Sequence, residues 1–600
     1  MTPRLASVVF SLSVLFSALG ADWAPPRPAS VDELRLAGPW AAAQARAVAR
    51  LGAAPLDRRD FILADVSLKQ PRPFVEFSGD VSGRWIGAAA FLAPQYPQPL
   101  AAFPQILAEI PAYQKADGHF GADQHLPAID RGRDMPILWG NGRLLLGLVE
   151  VFQRTGNAQA LHTARRIGDY FVATDAVYNK PDNLRSVGGA YADGFATCYF
   201  SCIEGLAALG GATGEKRYLD EAGRIAELAL SVDNFDGLHA HGRLCAVCGM
   251  AGLYAVTGQR RWLEGAQRDW RLFHDRYLLP TGGVKEVLAP KCDRDEGCAE
   301  CDWLRLNLAL WRLTGAGRYL DAAERVLKGH FLYQQFPNGG AGHRLFHQID
   351  GRAVAFQGTS QEAWWCCAEH WPRTTAEVAR HAVASGKDGP CINLAIDCEG
   401  TVAGPRGKWK VVLRESSDGL RIVLTSPAPT EATLRVHRPG WARTGARVEA
   451  SGALSVRQTD DAWLLRGVWR GAEQIAVHLP MTLRCEAGPA GTGALLRGHD
   501  LLAAHRNPVN AWLLDRPGDV WPMVLWAAAL RAVDGRILVP ASLAQDPQPQ
   551  HPEQWKLLEL APLRAVAGEP HEAAWFSFRT CEASAREVAA LAAKIRRSQP

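Results

Sequence analysis

After its first 21 residues, this 600-residue chain has no apolar run as long as the ~20 residues that a membrane-spanning helix needs. It also has no run of charges of one sign, and its formal net charge at pH 7 is only +4. These absences argue against a later membrane span and against a basic face for nucleic acid or acidic membranes. Apolar residues make up 48% and charged residues 21% of the sequence, which indicates a globular protein and not a disordered one.

The first 21 residues are different. They combine an early arginine, Arg4, with an apolar run and small residues at the end, which is the pattern of a secretory signal peptide. An uncleaved membrane anchor is the alternative, although the run is shorter than a spanning helix requires. We therefore expect a signal peptide over residues 1–21 and a secreted or periplasmic protein without a further membrane span.

A chain of 600 residues is too long for one hydrophobic core, so more than one domain is expected. A short sequence phrase is repeated in its first part. A Thr-Gly pair joins an apolar helix to an amphipathic one at Gly156, Gly214, Gly258 and Gly315, and these glycines are 58, 44 and 57 residues apart. Such a glycine suits the left-handed end of a helix, and the spacing fits one helical hairpin per repeat. The helices before the glycines are apolar nearly all round, as are helices buried on both faces. We predict an α/α barrel of about six hairpins, (α/α)6, over residues 22–390.

From about residue 395 the apolar period changes to two. Residues 409–427 are typical of two strands joined by an Asp-Gly turn, and the alternation continues in residues 431–441 and 473–484. We predict β-sandwich structure over residues 395–600, with a C-terminal helix that has a basic end. The predicted fold class is therefore multidomain α+β, with a helical barrel followed by one or two sandwiches.

The thirteen cysteines raise a chemical question, because Cys366 and Cys367 are adjacent and adjacent cysteines rarely meet the geometry of a disulfide. Glu296 and Cys298 are two residues apart, and Gly297 between them favours an extended segment in which both side chains point the same way. Together these four residues offer three thiolates and one carboxylate. That is a complete tetrahedral ligand set for Zn²⁺.

Two other interpretations of the cysteines remain open at this point. Cys245 and Cys248, together with Cys298 and Cys301, have the spacing of a four-cysteine structural zinc site, although the first pair lies in a segment with the periodicity of a buried helix. Ordinary disulfides, such as one between Cys292 and Cys298, are the other alternative in an exported protein.

Several phrases together resemble glycoside hydrolase family 127, the β-L-arabinofuranosidase-like proteins. The most specific is an E-x-C motif followed roughly seventy residues later by two adjacent cysteines. The resemblance covers residues 70 to 490 approximately and includes the phrases FSGDVSGRWIGAAA, YQKADGHFG, WGNGRLLLGL, GLHAHGR, TGGVKE, WWCC, HRPGWA and HLPMTLR. It implies an (α/α)6 catalytic barrel with β-sandwich domains after it.

The resemblance also implies a reaction. The family holds zinc with a glutamate and three cysteines, which correspond here to Glu296, Cys298, Cys366 and Cys367, and the first cysteine of the adjacent pair is the nucleophile. Cys366 would therefore form the covalent intermediate of a retaining hydrolase. The family places its acid/base glutamate upstream of the zinc glutamate, and Glu286 is the corresponding residue here.

The sugar-binding residues follow less directly. His239 and His241 lie where the family has a sugar-binding histidine, with His241 favoured, and Trp365 offers a ring face to the sugar. On two inner helices, where arabinofuranosidases of the group carry histidines, this chain has Asn141 and Ser201. We expect Asn141 to face the sugar. The presence of Asn141 and Ser201 in place of two histidines should change which sugar hydroxyl groups the site can bind through hydrogen bonds.

The sequence thus predicts an exported zinc-dependent retaining glycoside hydrolase that acts on a glycan, at a terminal β-L-arabinofuranose or a related pentose. One alternative is another (α/α)6 enzyme, of the unsaturated-uronyl hydrolase or polysaccharide lyase type, in which the cysteines are structural. The other is a carbohydrate-binding protein without catalysis, in which zinc only stabilises the barrel.

Overall fold

The computed structural model describes residues 23–186, 194–279, 281–289, 292, 294–349, 352–481, 483–487, 492–498, 500–504, 522–526, 536–540, 555–562, 573–574 and 576–581. The predicted signal peptide and the predicted C-terminal helix lie outside the described residues.

The α-helices that the structure describes lie between residues 38 and 382. Their bounds are α1 Gly38–Leu51, α2 Arg59–Ile62, α3 Ala64–Ser67, α4 Asp80–Leu92, α5 Phe103–Glu109, α6 Arg131–Thr155, α7 Ala158–Tyr178, α8 Asn183–Ser186, α9 Phe195–Cys198, α10 Cys202–Thr213, α11 Lys216–Leu230, α12 Ala240–Thr257, α13 Arg260–Leu272, α14 Gly297–Thr314, α15 Gly317–Val326 and α16 Cys367–Ala382.

Six of these helices form a closed ring. Helix α4 packs on α6, α6 on α10, α10 on α12, α12 on α14 and α14 on α16, and α16 returns to α4. Helices α7, α11, α13 and α15 each pack outside the ring, against the ring helix that precedes them in the chain, and α1 packs on α16. This alternation of ring and outer helices is the arrangement that the apolar periodicity predicts.

The Thr-Gly turns explain why the hairpins form. Gly156, Gly214, Gly258 and Gly315 have φ values of 71°, 73°, 67° and 73°, which a residue with a side chain rarely adopts. Each preceding threonine donates its hydroxyl to the carbonyl four residues earlier, at 2.7–2.9 Å. The predicted helix ends are therefore confirmed at all four turns.

One helical stretch, Phe195–Thr213, is long and apolar enough to cross a membrane, with a mean hydropathy of 1.2, although the sequence pattern predicts no such segment. It contains α9 and α10, and 72% of its apolar window is buried inside the protein. Burial against neighbouring ring helices is the ordinary environment of a core helix, and such helices pass the same test of length and composition.

The strands belong to four sheets. Their bounds are β1 Arg27–Pro28, β2 Leu34–Leu36, β3 Gly342–Ile349, β4 Arg352–Glu362, β5 Val383–Ser385, β6 Pro390–Ile392, β7 Cys398–Gly404, β8 Gly407–Ser416, β9 Gly419–Thr425, β10 Thr430–His437, β11 Arg447–Ala450, β12 Ser455–Gln458, β13 Ala462–Trp469, β14 Ala472–His478, β15 Leu483–Ala487, β16 Thr492–Arg497, β17 Asp500–Ala504, β18 Pro522–Trp526, β19 Arg536–Pro540, β20 Trp555–Pro562, β21 Ala573–Ala574 and β22 Phe576–Cys581.

Two of the sheets have six strands each. Their strand orders are β1-β5-β6-β10-β13-β12 and β11-β14-β9-β8-β7-β2. Trp409 of one sheet and Trp469 of the other are buried with their ring centroids 5.6 Å apart, so the two sheets pack face to face. The predicted turn between β8 and β9 is confirmed at Gly419, where φ is 140°. A third sheet has the order β18-β22-β16-β17-β20-β19, with β15 paired to β16.

The chain enters these sheets before it forms the ring. Strand β1 pairs with β5, and β2 pairs with β7, so both six-stranded sheets contain a strand from the first residues that the structure describes. Strands β5 and β6 also precede residue 395. The predicted domain boundary near residue 395, where the apolar period changes to two, therefore does not separate the sheets from the helices. Each six-stranded sheet has strands from before and after that residue.

Helices α4 and α6 approach each other so closely that only glycine fits between them. A Cβ atom on Gly147 would collide with the carbonyl oxygen of Gly83. We predict that Gly147→Ala destabilises the protein by about 1–3 kcal/mol, because the backbones must separate to accept one methyl group. The thermal unfolding midpoint measured by circular dichroism checks this.

Gly252→Ala is the matched control, since Gly252 also lies inside a ring helix but its added Cβ would meet only Ala207 Cβ, at 3.7 Å. Alanine is the better helix former, so this variant should unfold at the same temperature as wild type or above it. Equal destabilisation by both substitutions would contradict the close approach of α4 and α6.

Candidate active site

A cavity of about 510 Å³ is lined by residues at or near the amino-terminal ends of ring helices α4, α12, α14 and α16. Its lining contains both polar and aromatic side chains. The polar residues are Asp80, Arg84, His239, His241, Glu286, Arg294, Glu296, His343, Gln361 and Cys366, and the aromatic residues are Phe74, Phe77, Trp139, Trp364 and Trp365.

The structure brings the four predicted zinc ligands together. The Sγ atoms of Cys366 and Cys367 are 3.5 Å apart, those of Cys298 and Cys367 are also 3.5 Å apart, and Cys366 Sγ lies 3.9 Å from Glu296 Oε1. All four ligand atoms lie within 4.8 Å of one another, and all four side chains are buried. We call these four residues the cysteine cluster.

The cysteine cluster fits a tetrahedral zinc ion. Bonds of about 2.3 Å to sulfur and 2.0–2.2 Å to oxygen give a tetrahedron whose edges are about 3.5–3.8 Å long. Three separations between ligand atoms, of 3.5–3.9 Å, are close to those edges, and every ligand-atom separation is within 4.8 Å. Three soft sulfur ligands and one carboxylate are also the donor set that favours zinc over magnesium or calcium.

Local backbone structure explains how the cluster forms. Glu296 is the residue that caps the amino terminus of α14, and Cys366 has the same position on α16. Glu296 has extended dihedral angles, φ −145° and ψ 125°, as the sequence pattern around Gly297 predicts. A helix amino terminus stabilises negative charge. The amino termini of α14 and α16 both lie at the cysteine cluster, whose ligand groups are negatively charged as thiolates and carboxylate.

Burial opposes that charge. It raises the pKa values of the Cys298, Cys366 and Cys367 thiols well above the ordinary value. In an apolar site, three adjacent sulfur atoms therefore bind protons unless a cation stabilises the thiolates. The chemistry of the donor set thus agrees with its geometry in favouring a bound metal ion.

Two histidines border the cluster, and their surroundings shift their pKa values in opposite directions. His239 Nε2 lies 3.0 Å from Glu296 Oε2; burial lowers the pKa of His239, but the Glu296 carboxylate outweighs burial and raises it. His241 Nδ1 lies 2.5 Å from Asp302 Oδ2, and there burial dominates and lowers the pKa. His239 is therefore the imidazole that favours the charged form, and His241 the one that favours the neutral form.

Arg84 connects these groups. Its Nε donates to Asp80 Oδ1 at 2.6 Å, its Nη1 donates to Cys298 Sγ at 3.5 Å, and its Nη2 lies 3.0 Å from His241 Nε2. Since His241 is neutral and donates its Nδ1 proton to Asp302, its Nε2 accepts from Arg84. A guanidinium so placed stabilises negative charge on the cluster.

Glu286 lies on the wall of the same cavity as Cys366. Its carboxylate accepts hydrogen bonds from Arg294 at both oxygens, with Nη2 to Oε1 at 2.9 Å. The backbone around it is fixed, because the Ala240 N–H donates to the Glu286 carbonyl at 2.8 Å and the Glu286 N–H donates to the Arg294 carbonyl at 3.1 Å. The structure thus brings Glu286 to the cavity together with the predicted sugar-binding residues His239, His241 and Trp365.

Asn141 requires a correction, because it is not among the described residues that line the cavity. It is fully buried in α6, where its Nδ2 donates to the carbonyls of Ile137 and Phe120 at 2.9 Å and its Oδ1 accepts from the Phe120 N–H at 2.8 Å. Both of its amide N–H groups and its Oδ1 are thus used to hold the backbone at Ile137 and Phe120, and the buried side chain does not face the cavity. Ser201 is likewise buried and donates to the Cys198 carbonyl at 2.9 Å.

The structure contradicts both alternatives for the cysteines whose side chains it describes. The cysteines whose side chains are described, Cys292 and Cys298 among them, are free thiols. Cys298 belongs to the cysteine cluster, whereas Cys245 lies beside His241 and Asp302, so the two C-x-x-C motifs do not share one metal site. Cys248 instead contacts the Asp302 carbonyl, at 3.7 Å.

Asp80 and Arg84 are among the cavity residues that sequence reasoning missed, together with Phe74, Arg294 and His343. Asp80 and Arg84 both lie inside the phrase FSGDVSGRWIGAAA, four residues apart on a helix that is otherwise apolar all round. An acid and a base at that spacing, on a helix without an exposed face, can only be satisfied inside the protein. That pattern was the available signal.

Comparison with known proteins agrees with this arrangement. The sequence model described as β-L-arabinofuranosidase, GH127 catalytic domain, matches residues 38–380. A solved GH127 β-arabinofuranosidase has a TM-score of 0.71 at 17% identity, covering 92% of this chain and 98% of that chain. A GH127 β-L-arabinofuranosidase from Geobacillus stearothermophilus T6 has a TM-score of 0.69 at 17% identity, covering 91% of this chain and 100% of that chain.

At 17% identity, the matches to solved structures show a shared fold. No curated protein sequence matches the chain. The family match extends over more than half of the chain and confirms the resemblance seen in the sequence motifs. Membership sets aside the lyase and the non-catalytic binding protein as alternatives. The chain belongs to the GH127 β-L-arabinofuranosidase family of glycoside hydrolases.

Proposed function

We propose that this protein is an exported, zinc-dependent, retaining glycoside hydrolase that removes a terminal β-L-arabinofuranose, or a related pentose, from a glycan. The proposal rests on one observation: Cys366 lines the cavity and also belongs to the cysteine cluster. We further propose that the helical ring is the inner wall of an (α/α)6 barrel, and that residues 1–21 direct the protein to the periplasm or the medium.

A zinc ion held by Glu296, Cys298, Cys366 and Cys367 would keep Cys366 deprotonated at neutral pH. In the first step, Cys366 Sγ bonds to the anomeric carbon while the bond from that carbon to the leaving oxygen breaks, and Glu286 gives that oxygen a proton. In the second step, Glu286 takes a proton from water, whose oxygen displaces the sulfur. Two displacements at one carbon return the original anomeric configuration.

The remaining polar side chains orient the sugar and the nucleophile. His239, which lines the cavity beside Glu296, is the proposed partner of a sugar hydroxyl. His241 also lines the cavity, but its two ring nitrogens already bind Asp302 and Arg84, so its proposed role is to hold these groups in position. Arg294 holds both carboxylate oxygens of Glu286 and so fixes the plane of the proposed acid/base group. Arg84 donates to Cys298 and favours negative charge on the sulfur atoms next to Cys366.

The first prediction concerns the nucleophile. Cys366→Ser should lower turnover of an aryl β-L-arabinofuranoside by at least about 10³-fold, because a serine hydroxyl in this position has no comparable nucleophilicity. The release of the aryl group, followed by absorbance, measures the loss.

The matched control is Cys248→Ala, which removes a buried thiol from ring helix α12 and should leave turnover within about twofold of wild type. Full activity in Cys366→Ser would exclude Cys366 from the mechanism. Equal losses in both variants would show that the effect comes from packing and not from chemistry.

The second prediction concerns the metal. Elemental analysis of the purified protein should find about one zinc per chain, and Cys367→Ala should lose it, because three ligands bind zinc far more weakly than four. Chelation of the zinc should also lower the unfolding temperature, since metal binding contributes to folding free energy.

Cys301→Ala is the control, because Cys301 is equally buried and lies three residues after Cys298 but outside the cysteine cluster. It should retain its zinc. A wild-type protein that contains no zinc, with Cys366 and Cys367 oxidised, would rule out the thiolate mechanism.

The third prediction concerns the acid/base group. Glu286→Gln should slow hydrolysis by about 10²–10⁴-fold for an alkyl leaving group and by much less for an aryl group that needs no protonation. Added azide should restore turnover and give a glycosyl azide of retained configuration, because the small anion needs no general base. Products are identified by nuclear magnetic resonance.

Glu264→Gln serves as the control, as this carboxylate is on an outer helix with an exposed side chain. It should leave both rates unchanged. A loss in Glu286→Gln that is the same for both leaving groups, without a glycosyl azide product, would mean that another residue supplies the proton.

A further inference from the structure

Phe74 is unusual in two respects. Its side chain is 40% exposed although it is large and apolar, and its φ of 63° lies in the left-handed region. That backbone conformation costs about 1–2 kcal/mol for a residue with a side chain. Strained residues of this kind concentrate at binding and catalytic sites.

The strain is maintained by a buried ion pair on the same segment. Arg72 Nε donates to the Phe61 carbonyl at 3.0 Å, and its Nη1 donates to the Pro73 carbonyl at 3.1 Å. Its guanidinium also pairs with Asp65, with Nη2 3.3 Å from Oδ2 and both side chains buried. Phe74 is therefore held beside the cavity by its neighbours and does not reach that position by chance.

Phe74 is part of an aromatic surface. Its ring centroid lies 5.1 Å from that of Trp365, with 34° between the planes, and the Trp365 ring lies 5.3 Å from that of Trp364 at 89°. All three side chains line the cavity, and the two tryptophans directly precede Cys366. We call these three residues the aromatic platform.

The polar lining already provides for the reacting sugar. Cys366, Glu286, Glu296 and His239 supply the nucleophile, the proposed acid and hydrogen-bonding groups. The cavity of about 510 Å³ is larger than one pentose residue fills, and the aromatic platform is also part of its lining. A sugar ring has a face rich in C–H groups that packs on such a surface, whereas water or an ion would gain nothing there.

We propose that the aromatic platform is a binding subsite for the leaving group, and that its ligand is a second sugar ring linked to the pentose that is cleaved. The inference rests on the proposed hydrolase function and adds the class of leaving group to it. The enzyme accordingly binds the two residues flanking the scissile bond, with Phe74 and Trp365 as the residues that determine leaving-group specificity.

Two substrates test this proposal in the full-length protein. One is methyl β-L-arabinofuranoside, whose leaving group is too small to reach the platform, and the other is a disaccharide of β-L-arabinofuranose with a sugar leaving group. Phe74→Gly should raise KM for the disaccharide by about 3- to 10-fold, because one ring contact is lost, and should leave the methyl glycoside unchanged. Phe74→Trp should restore the KM of the disaccharide.

Leu68→Gly is a matched control. Leu68 is also apolar, 44% exposed and left-handed, with φ 54°, but it is not among the residues lining the cavity. Glycine relieves the backbone strain at both positions, so neither variant should unfold below wild type, and a change of KM confined to Phe74→Gly reports on binding alone.

The outcomes separate this inference from the function on which it rests. If wild type cleaves both substrates and Phe74→Gly leaves KM for the disaccharide unchanged, or raises KM equally for both, the aromatic platform is not a leaving-group subsite although the hydrolase function stands. If wild type cleaves neither substrate and tryptophan fluorescence detects no binding of either, the proposed function is wrong and the subsite fails with it.

Discussion

The convergence of two helix amino termini on one buried point is the constraint on which this structure depends. Glu296 caps α14 and Cys366 caps α16, and these ends must meet within a few ångströms for the cysteine cluster to exist. The segment before α14 is held against β3, because Asp295 N–H donates to the Arg344 carbonyl at 3.1 Å and Asp295 Oδ1 accepts from the Arg344 N–H at 2.6 Å. Closure of the ring fixes the position of α16 relative to α4 and α14.

A buried polar network reinforces that closure. Asp302 of α14 accepts from His241 of α12 at 2.5 Å, from His370 of α16 at 2.8 Å and from Arg305 at 2.7 Å. Through Arg84, the same network reaches α4. Four ring helices are therefore joined directly beneath the cysteine cluster, and loss of one member would leave a buried charge without its partner, which is costly in a site of low dielectric constant.

Several polar side chains of the cavity owe their position to this arrangement. Asp80, His239, Glu296 and Cys366 lie at the starts of ring helices, where backbone N–H groups and the network stabilise charged side chains. The aromatic platform comes from the segment before α4 and from the residues just before α16. In the proposed function, the first group serves bond cleavage and the platform provides apolar contact with a larger glycan.

The sequence by itself determined much of the local structure and the candidate ligand set. Four Thr-Gly pairs mark helix ends because a left-handed residue there requires no distant partner, and the E-x-C and C-C motifs identify the four residues of the cysteine cluster because few other groups share their chemistry. Only the tertiary structure decided which polar residues reach the cavity. Asn141 lies on a ring helix yet turns its amide to the backbone at Phe120, whereas Asp80, Arg84 and Phe74 reach the cavity. The physical reason is that a hydrogen bond or an ion pair between residues far apart in sequence depends on helix packing, and helix packing is a property of the whole ring.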